Sequence, residues 1–248
     1  MPNHVTNKLI IGSVSNTRIA EILEAIKGEE KGCVIDFNKI IPMPEALDVT
    51  DGGYGNVGVF ILSGENNGTY RTDKELQSQF DEMSDEDKKE TLTLGQAYID
   101  NLNNFGHKTW YSWRNEYWNT KWNSYDGSVT GNEIQFDTAW ATPYGIIEKI
   151  AQMFPDVEFS LTYADEDLGY NCGRYTFLNG VETEYYQPKG GTDEAIELAV
   201  EVKGLQGEYI KNESTGEWDY ASEFEEQEAH DDLTAEIENQ AEAEANEG

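Results

Sequence analysis

Two runs of apolar residues at helical spacing, each set behind an alternating strand, do most to limit how this chain can fold. Ile19, Ile22, Leu23 and Ile26 make one such helix over Thr17–Lys27, stopped at Gly28. Ile146, Ile147, Ile150 and Phe154 make the other, stopped at Pro155. Val5, Leu9 and Ile11 lie on one face of a strand before the first helix. Ile134, Phe136, Thr138 and Trp140 alternate before the second. Cys33, Ile35 and Phe37 then alternate after the first helix, and Val157, Phe159, Leu161 and Tyr163 after the second. Strand–helix–strand occurring twice is the split βαβ pattern, so the predicted class is α+β. It has a ferredoxin-like antiparallel sheet with both helices on one face.

The remaining segments decorate that frame. Ile40–Pro44 must leave the sheet, because two prolines cannot serve a central ladder. Asp48–Gly68, rich in Gly and Asn, is expected to be loop around a short strand at Val57–Leu62. Asp73–Phe105 is expected to be helical, with Ser84 as a cap and Asp87 completing a capping box. Trp110–Tyr117 carries a helical stripe that should fray near Asn119, ahead of a turn-rich loop over Asn123–Asn132. Thr142 is the expected cap of the second helix, with Pro143 at its first position. Asn179-Gly180 marks a hairpin between Arg174–Leu178 and Glu182–Tyr186, and Asp193–Val202 can form one more helix. The chain thus divides into a ferredoxin-like domain over 1–203, with a mostly helical, Trp-rich insertion at 48–132, and an acidic low-complexity tail over 204–248.

Charge narrows the partners. The formal net charge is −32 over 248 residues, and Glu213–Gly248 contributes fourteen carboxylates with no Lys or Arg. Such a chain is repelled by nucleic acid and by anionic membrane, and attracted to basic surfaces. No segment approaches the roughly 20 apolar residues of a membrane-spanning helix. Cys33 and Cys172 do not form a disulfide framework, and the start lacks a charged segment followed by an apolar run. A cytosolic protein with reduced thiols is expected.

Trp110–Trp122 (WYSWRNEYWNTKW) holds four of the six tryptophans, and Trp140 follows in FDTAW. Such a cluster serves either as core or as a rigid recognition surface. Stacking on bases is disfavoured, because Arg114, Lys108 and Lys121 are the only nearby cations. Trp113, Asn119, Lys121 and Trp140 could instead line a pocket for a small ligand.

The segments MPNHVTN, FNKIIPMPE, WYSWRNEYWNTKWNSYD, FDTAWATP, FPDVEFSLTYADED and NCGRYTFLNG together resemble the YubB ferredoxin-like family of phages, prophages and conjugative plasmids. The resemblance spans Met1–Pro188. It implies the ferredoxin-like fold and a mobile-element accessory protein in the cytoplasm of a bacterial host. It brings no catalytic residues.

Candidate chemistry is sparse. Asp165, Glu166 and Asp167 could hold Mg²⁺ or Ca²⁺ or share a proton, but an acidic run is more often a solvated turn. His4, His107 and His230 have no metal-ligand spacing, and Cys172 has no base placed beside it. No catalytic residue, metal or cofactor is expected. The sequence favours a non-enzymatic protein that binds and inhibits a host protein through an acidic surface. Asp165, Glu166, Asp167, Glu182, Glu184 and the tail would meet the basic groove of a nucleic-acid-binding defence enzyme. The alternatives are a binder or hydrolase of a small nucleotide-like signal near the Trp-rich segment, and an assembly factor of the element.

Overall fold

β1 (His4–Ile11) lies at the centre of a six-stranded sheet of order β2-β3-β1-β4-β5-β6, formed with β2 (Tyr125–Thr130), β3 (Glu133–Ala139), β4 (Phe159–Asp165), β5 (Cys172–Leu178) and β6 (Val181–Tyr186). Every neighbouring pair is antiparallel. The computed structural model describes residues 3–66, 70–213 and 215–224. The order β2-β3-β1-β4, with α1 (Asn16–Ile26) after β1 and α7 (Tyr144–Met153) after β3, is the ferredoxin-like arrangement. Strands β5 and β6 extend it beyond β4.

Both helices lie where their apolar stripes predict. Leu9, Ile11, Ile22, Ile26, Ile134, Phe136, Ile146, Ile147, Ile150, Phe159, Leu161 and Phe177 are fully buried in one cluster between the sheet and these helices. Ser15 caps α1 by accepting from the Arg18 amide at 3.2 Å. The hairpin turn is as expected, with Asn179 and Gly180 both left-handed at φ 56° and 72°. α1 and α7 share one face of the sheet, and a further helix lies on the other. Strand alternation sends Ala164 and Cys172 to the opposite side, where they pack on Ala195, Leu198, Ala199 and Val202 of α8 (Asp193–Lys203).

The second sheet strand is not at Cys33–Phe37. There Asp36 accepts from the Asn38 amide at 3.0 Å and caps a single helical turn, α2 (Phe37–Ile40). Ile35 and Phe37 are buried without any ladder. The strand is β2, inside the segment expected to be loop. It is an edge strand, mostly exposed and bulged between Tyr125 and Ser128, so it carries no alternating signature. The helical insertion therefore falls between α1 and β2.

That insertion also corrects the Val57–Leu62 strand. The segment belongs to α3 (Gly53–Ser63), packed on α5 (Asp85–Phe105). A Cβ on Gly55 would lie 2.3 Å from the Tyr98 ring, and one on Gly58 2.1 Å from the Thr91 carbonyl oxygen. These glycines serve helix contact, not a loop. Asp73–Phe105 is broken into α4 (Asp73–Asp81), closed by a Thr72–Glu75 capping box, and α5, capped by Ser84. Thr142 does not cap α7. Its hydroxyl donates to Asn7 Oδ1 at 2.7 Å, and Pro143 takes the cap position.

The expected tail begins as folded structure. β7 (Tyr209–Lys211) and β8 (Trp218–Tyr220) pair antiparallel, and Trp218 Nε1 donates to Asp193 Oδ1 at 2.9 Å. Lys211 pairs with the same carboxylate, which holds that carboxyl below its usual range, the Lys211 bond first and the Trp218 bond second. Residues 225–248 of the tail lie outside the described residues. No helix among the described residues is long and apolar enough to cross a membrane.

Candidate functional site

α6 (Trp110–Tyr117) forms because Thr109 caps it, its hydroxyl accepting from the Tyr111 amide at 3.3 Å. It ends where Asn119 turns left-handed at φ 62°. Its inner side reaches the core: Trp113 and Trp118 are 6% and 1% exposed, and Trp118 Nε1 donates to the Ile41 carbonyl at 2.9 Å. Arg114 lies between two indoles, its guanidinium carbon 5.1 Å from the Trp110 ring and 4.8 Å from the Trp118 ring. Thr120 then anchors the chain to the end of β3, donating to the Ala139 carbonyl at 2.8 Å and accepting from the Ala139 amide at 3.2 Å.

That anchor sets Lys121 against a second pair of rings. Its Nζ is 4.8 Å from the Trp122 ring and 4.9 Å from the Trp140 ring. Trp140 meets Tyr111 edge to face, and Tyr111 meets Trp110 in the same way. Trp118, Arg114, Trp110, Tyr111, Trp140, Lys121 and Trp122 thus form one unbroken row of rings and cations. The cluster is neither all core nor all surface. It runs from buried Trp118 to Trp122 and Trp140, which are 37% and 43% exposed.

The acidic run ends β4 beside that row. Asp165 is only 4% exposed. Its carboxylate accepts from Asn3 Nδ2 at 3.0 Å, the Asp167 amide at 3.1 Å and Asn171 Nδ2 at 2.8 Å. The same Asn171 amide nitrogen donates to the Trp140 carbonyl at 3.1 Å, tying the acidic turn to the aromatic row. Glu166 and Asp167 are exposed. Glu166 Oε2 accepts from the His4 amide at 3.1 Å, and the His4 ring meets the Tyr125 hydroxyl at 2.8 Å. Burial, then the charges of Asp137, Asp126 and Glu166, push the Tyr125 phenol up to about 12.

The sequence-derived candidates therefore regroup. Asp165, Glu166, Asp167, Lys121 and Trp140, drawn from rival readings, share one end of the sheet. Trp113 is core, stacked on Tyr117 at 4.6 Å, and Asn119 sits exposed where α6 breaks. Glu182 and Glu184 stand elsewhere. A bulge at Thr183 pairs Glu182 with Phe177 and Glu184 with Thr176, so the two glutamates point to opposite faces. Glu182 bonds the Tyr144 hydroxyl at 3.0 Å. Its register partner Phe177 pairs with Phe159, at the far end of β4 from Asp165 and about 20 Å away.

Asn3, Tyr125 and Asn171 were not singled out from the sequence, and His4 was weighed there only as a metal ligand. They acquire meaning only across strands. A further array was also missed. Buried His107 has Nδ1 3.1 Å from Ser112 Oγ and Nε2 3.3 Å from Glu116 Oε2. Ser112 and Glu116 are one helical turn apart on α6, so the array clamps the approach to that helix. The spacing of His107, Ser112 and Glu116 was its visible signal. Among the described residues no group of three or more His, Cys, Asp or Glu could hold a metal ion. The Cys172 thiol, pushed up by burial, is not activated as a nucleophile; its Sγ lies 3.4 Å from the Ala195 carbonyl oxygen.

No curated protein matches the chain. Among solved structures, the crystal structure of a protein api92 from Yersinia pseudotuberculosis aligns with a TM-score of 0.38 and 10% identity, covering 77% of this chain and 100% of that one. Residues 117–206 match a family described as the ferredoxin-like domain in Api92-like protein. The match supports the ferredoxin-like domain that the motifs imply, without the YubB name or the phage and plasmid link. From the end of α6 through α8, this chain is similar to that ferredoxin-like domain.

Proposed function

We propose that this is a non-enzymatic binding protein whose contact surface is the end of the sheet built from Trp122, Lys121, Trp140, Glu166, Asp167 and Tyr170. The observation that carries this reading is the coupling of exposed rings to carboxylates on a rigid frame. Trp122, Trp140 and Tyr170 are 37%, 43% and 52% exposed, and Lys121 and Asn171 hold the first two in place. Ordered aromatics of this kind supply contact hot spots. The surrounding carboxylates and a net charge of −32 select a basic partner and speed encounter with it. The partner class is a basic surface on a host bacterial protein. A nucleic-acid-binding defence enzyme fits best, because its phosphate-binding groove would accept spaced carboxylates. The motif resemblance supports a phage or plasmid accessory role in the host cytoplasm.

The test is capture of the tagged full chain from bacterial lysate at moderate salt, followed by binding measurements with the purified partner. A stoichiometric basic partner is expected. Trp140→Ala or Trp122→Ala should weaken it at least tenfold, and Glu166→Gln with Asp167→Asn should weaken it and make what remains less sensitive to salt. Full affinity in molar salt, or in both Trp variants, would overturn the proposal.

A further inference from the structure

A second site lies behind the aromatic row. A cavity of 280 Å³ opens between α2, the loop after it and α6, lined by Asn38, Met43, Glu45, Asp48, Arg114, Trp118 and Asn123. Its cation is Arg114, held between Trp110 and Trp118. The Arg114 Nε is buried with no hydrogen-bond partner, and the guanidinium forms no ion pair with any described residue. This is unusual in a chain with 49 carboxylates and 17 basic side chains. Burial lowers the Arg114 pKa from its ordinary value, and Asp48 opposes that shift.

Charge selects the ligand. The guanidinium fork matches a carboxylate or phosphate, but Glu45 and Asp48 line the same cavity and stand exposed. They repel a bare anion, and Arg114 repels a bare cation. A molecule carrying both charges satisfies both ends. The volume lies just below the range of about 300–1,000 Å³ that holds drug-sized ligands, so the ligand is small. Half-buried Met43 offers it an apolar wall, and the Asn38 Nδ2 a donor, its Oδ1 already accepting from the Met43 amide at 2.9 Å.

We infer that this cavity binds a small zwitterion of the α-amino-acid class. Its carboxylate would pair with Arg114, its ammonium with Asp48 and Glu45, and an apolar side chain would lie against Met43. The site is separate from the protein-binding surface proposed above and does not depend on it.

The experiment is calorimetric titration of the full chain with the free α-amino acids, their N-acetyl and C-terminal amide derivatives, and inorganic phosphate. At least one amino acid with an apolar side chain should saturate a single site. Its N-acetyl and amide forms should bind at least tenfold more weakly, and phosphate should not compete. Asp48→Asn, at an exposed position that leaves the core intact, should weaken binding at least tenfold, and Arg114→Lys should do the same by replacing the fork with a point charge. No heat with any amino acid at millimolar concentration would overturn the inference. So would a capped derivative binding as well as the free amino acid, or unchanged binding in Asp48→Asn.

Discussion

Asn171 donates its side-chain amide to Asp165 at 2.8 Å, and that bond joins the acidic turn to the sheet end. Asp165 accepts two further N–H donors, from Asn3 and Asp167, while 4% exposed. It is therefore an organiser of the surface that Glu166 and Asp167 present, and not itself a contact. Asp165→Ala should cost about 1.5–3 kcal/mol, because it removes the charged acceptor of three N–H donors at once. Glu166→Gln should cost well under 1 kcal/mol, as is usual at an exposed position. Urea unfolding of both variants checks the contrast. Equal losses would mean the turn is not held by Asp165.

The contact between α3 and α5 leaves no room for side chains. A Cβ on Gly95 would lie 2.3 Å from the Gly58 carbonyl carbon. Gly58→Ala and Gly95→Ala should each destabilise by about 3 kcal/mol through overpacking. Gly64 caps α3 at φ 74° with nothing within 4 Å, so Gly64→Ala should cost only about 1–2 kcal/mol of backbone strain. Chemical denaturation separates the two mechanisms.

What the sequence revealed follows from how each element earns its burial. β1, β4, α1 and α7 each bury one face, so period and burial coincide at Leu9, Leu161, Ile22 and Ile150. β2 buries almost nothing, so its residues carry no pattern, while Ile35 and Phe37 alternate for reasons unrelated to pairing. Gly55 and Gly58 looked like loop residues because glycine signals both a turn and a close helix contact. The site was half legible. Residue type pointed to Trp140, Lys121 and the Asp165–Asp167 turn. Their union depends on Asn171, whose bonds reach 31 residues back to Trp140, and the parting of Glu182 from Glu184 depends on a single bulge. Neither leaves a local trace.

Burial holds the Asp137 carboxyl above its ordinary range, against the opposing hydrogen bond with Thr6 and the charge of Lys203. The folded protein therefore binds this proton more tightly than the unfolded chain. Stability from this group is present below the unfolded carboxylate pKa of about 3.9 and is lost as pH rises through the raised folded value. Asp137→Asn should melt at a higher temperature than the parent at pH 7, with the difference closing as pH falls toward 3.5. Melting curves across that window test the sign. A variant less stable at neutral pH would show that the ionised carboxylate is favoured where it sits.

Lys121 is the charge that orders the exposed end of the aromatic row, with its Nζ 4.8 Å and 4.9 Å from the Trp122 and Trp140 rings. Each such contact at an exposed site contributes about 0.5–1 kcal/mol. Lys121→Met keeps the length of the side chain and removes the charge. It should therefore lower stability by about 1 kcal/mol while leaving the fold intact, and free both rings to move. Tryptophan emission reports this directly: acrylamide should quench the variant more strongly than the parent, and the same variant should bind a basic partner more weakly despite carrying one more net negative charge. If charge alone governed the encounter, the variant would bind more tightly. The opposite direction of change is what distinguishes an ordered aromatic contact from general electrostatic attraction.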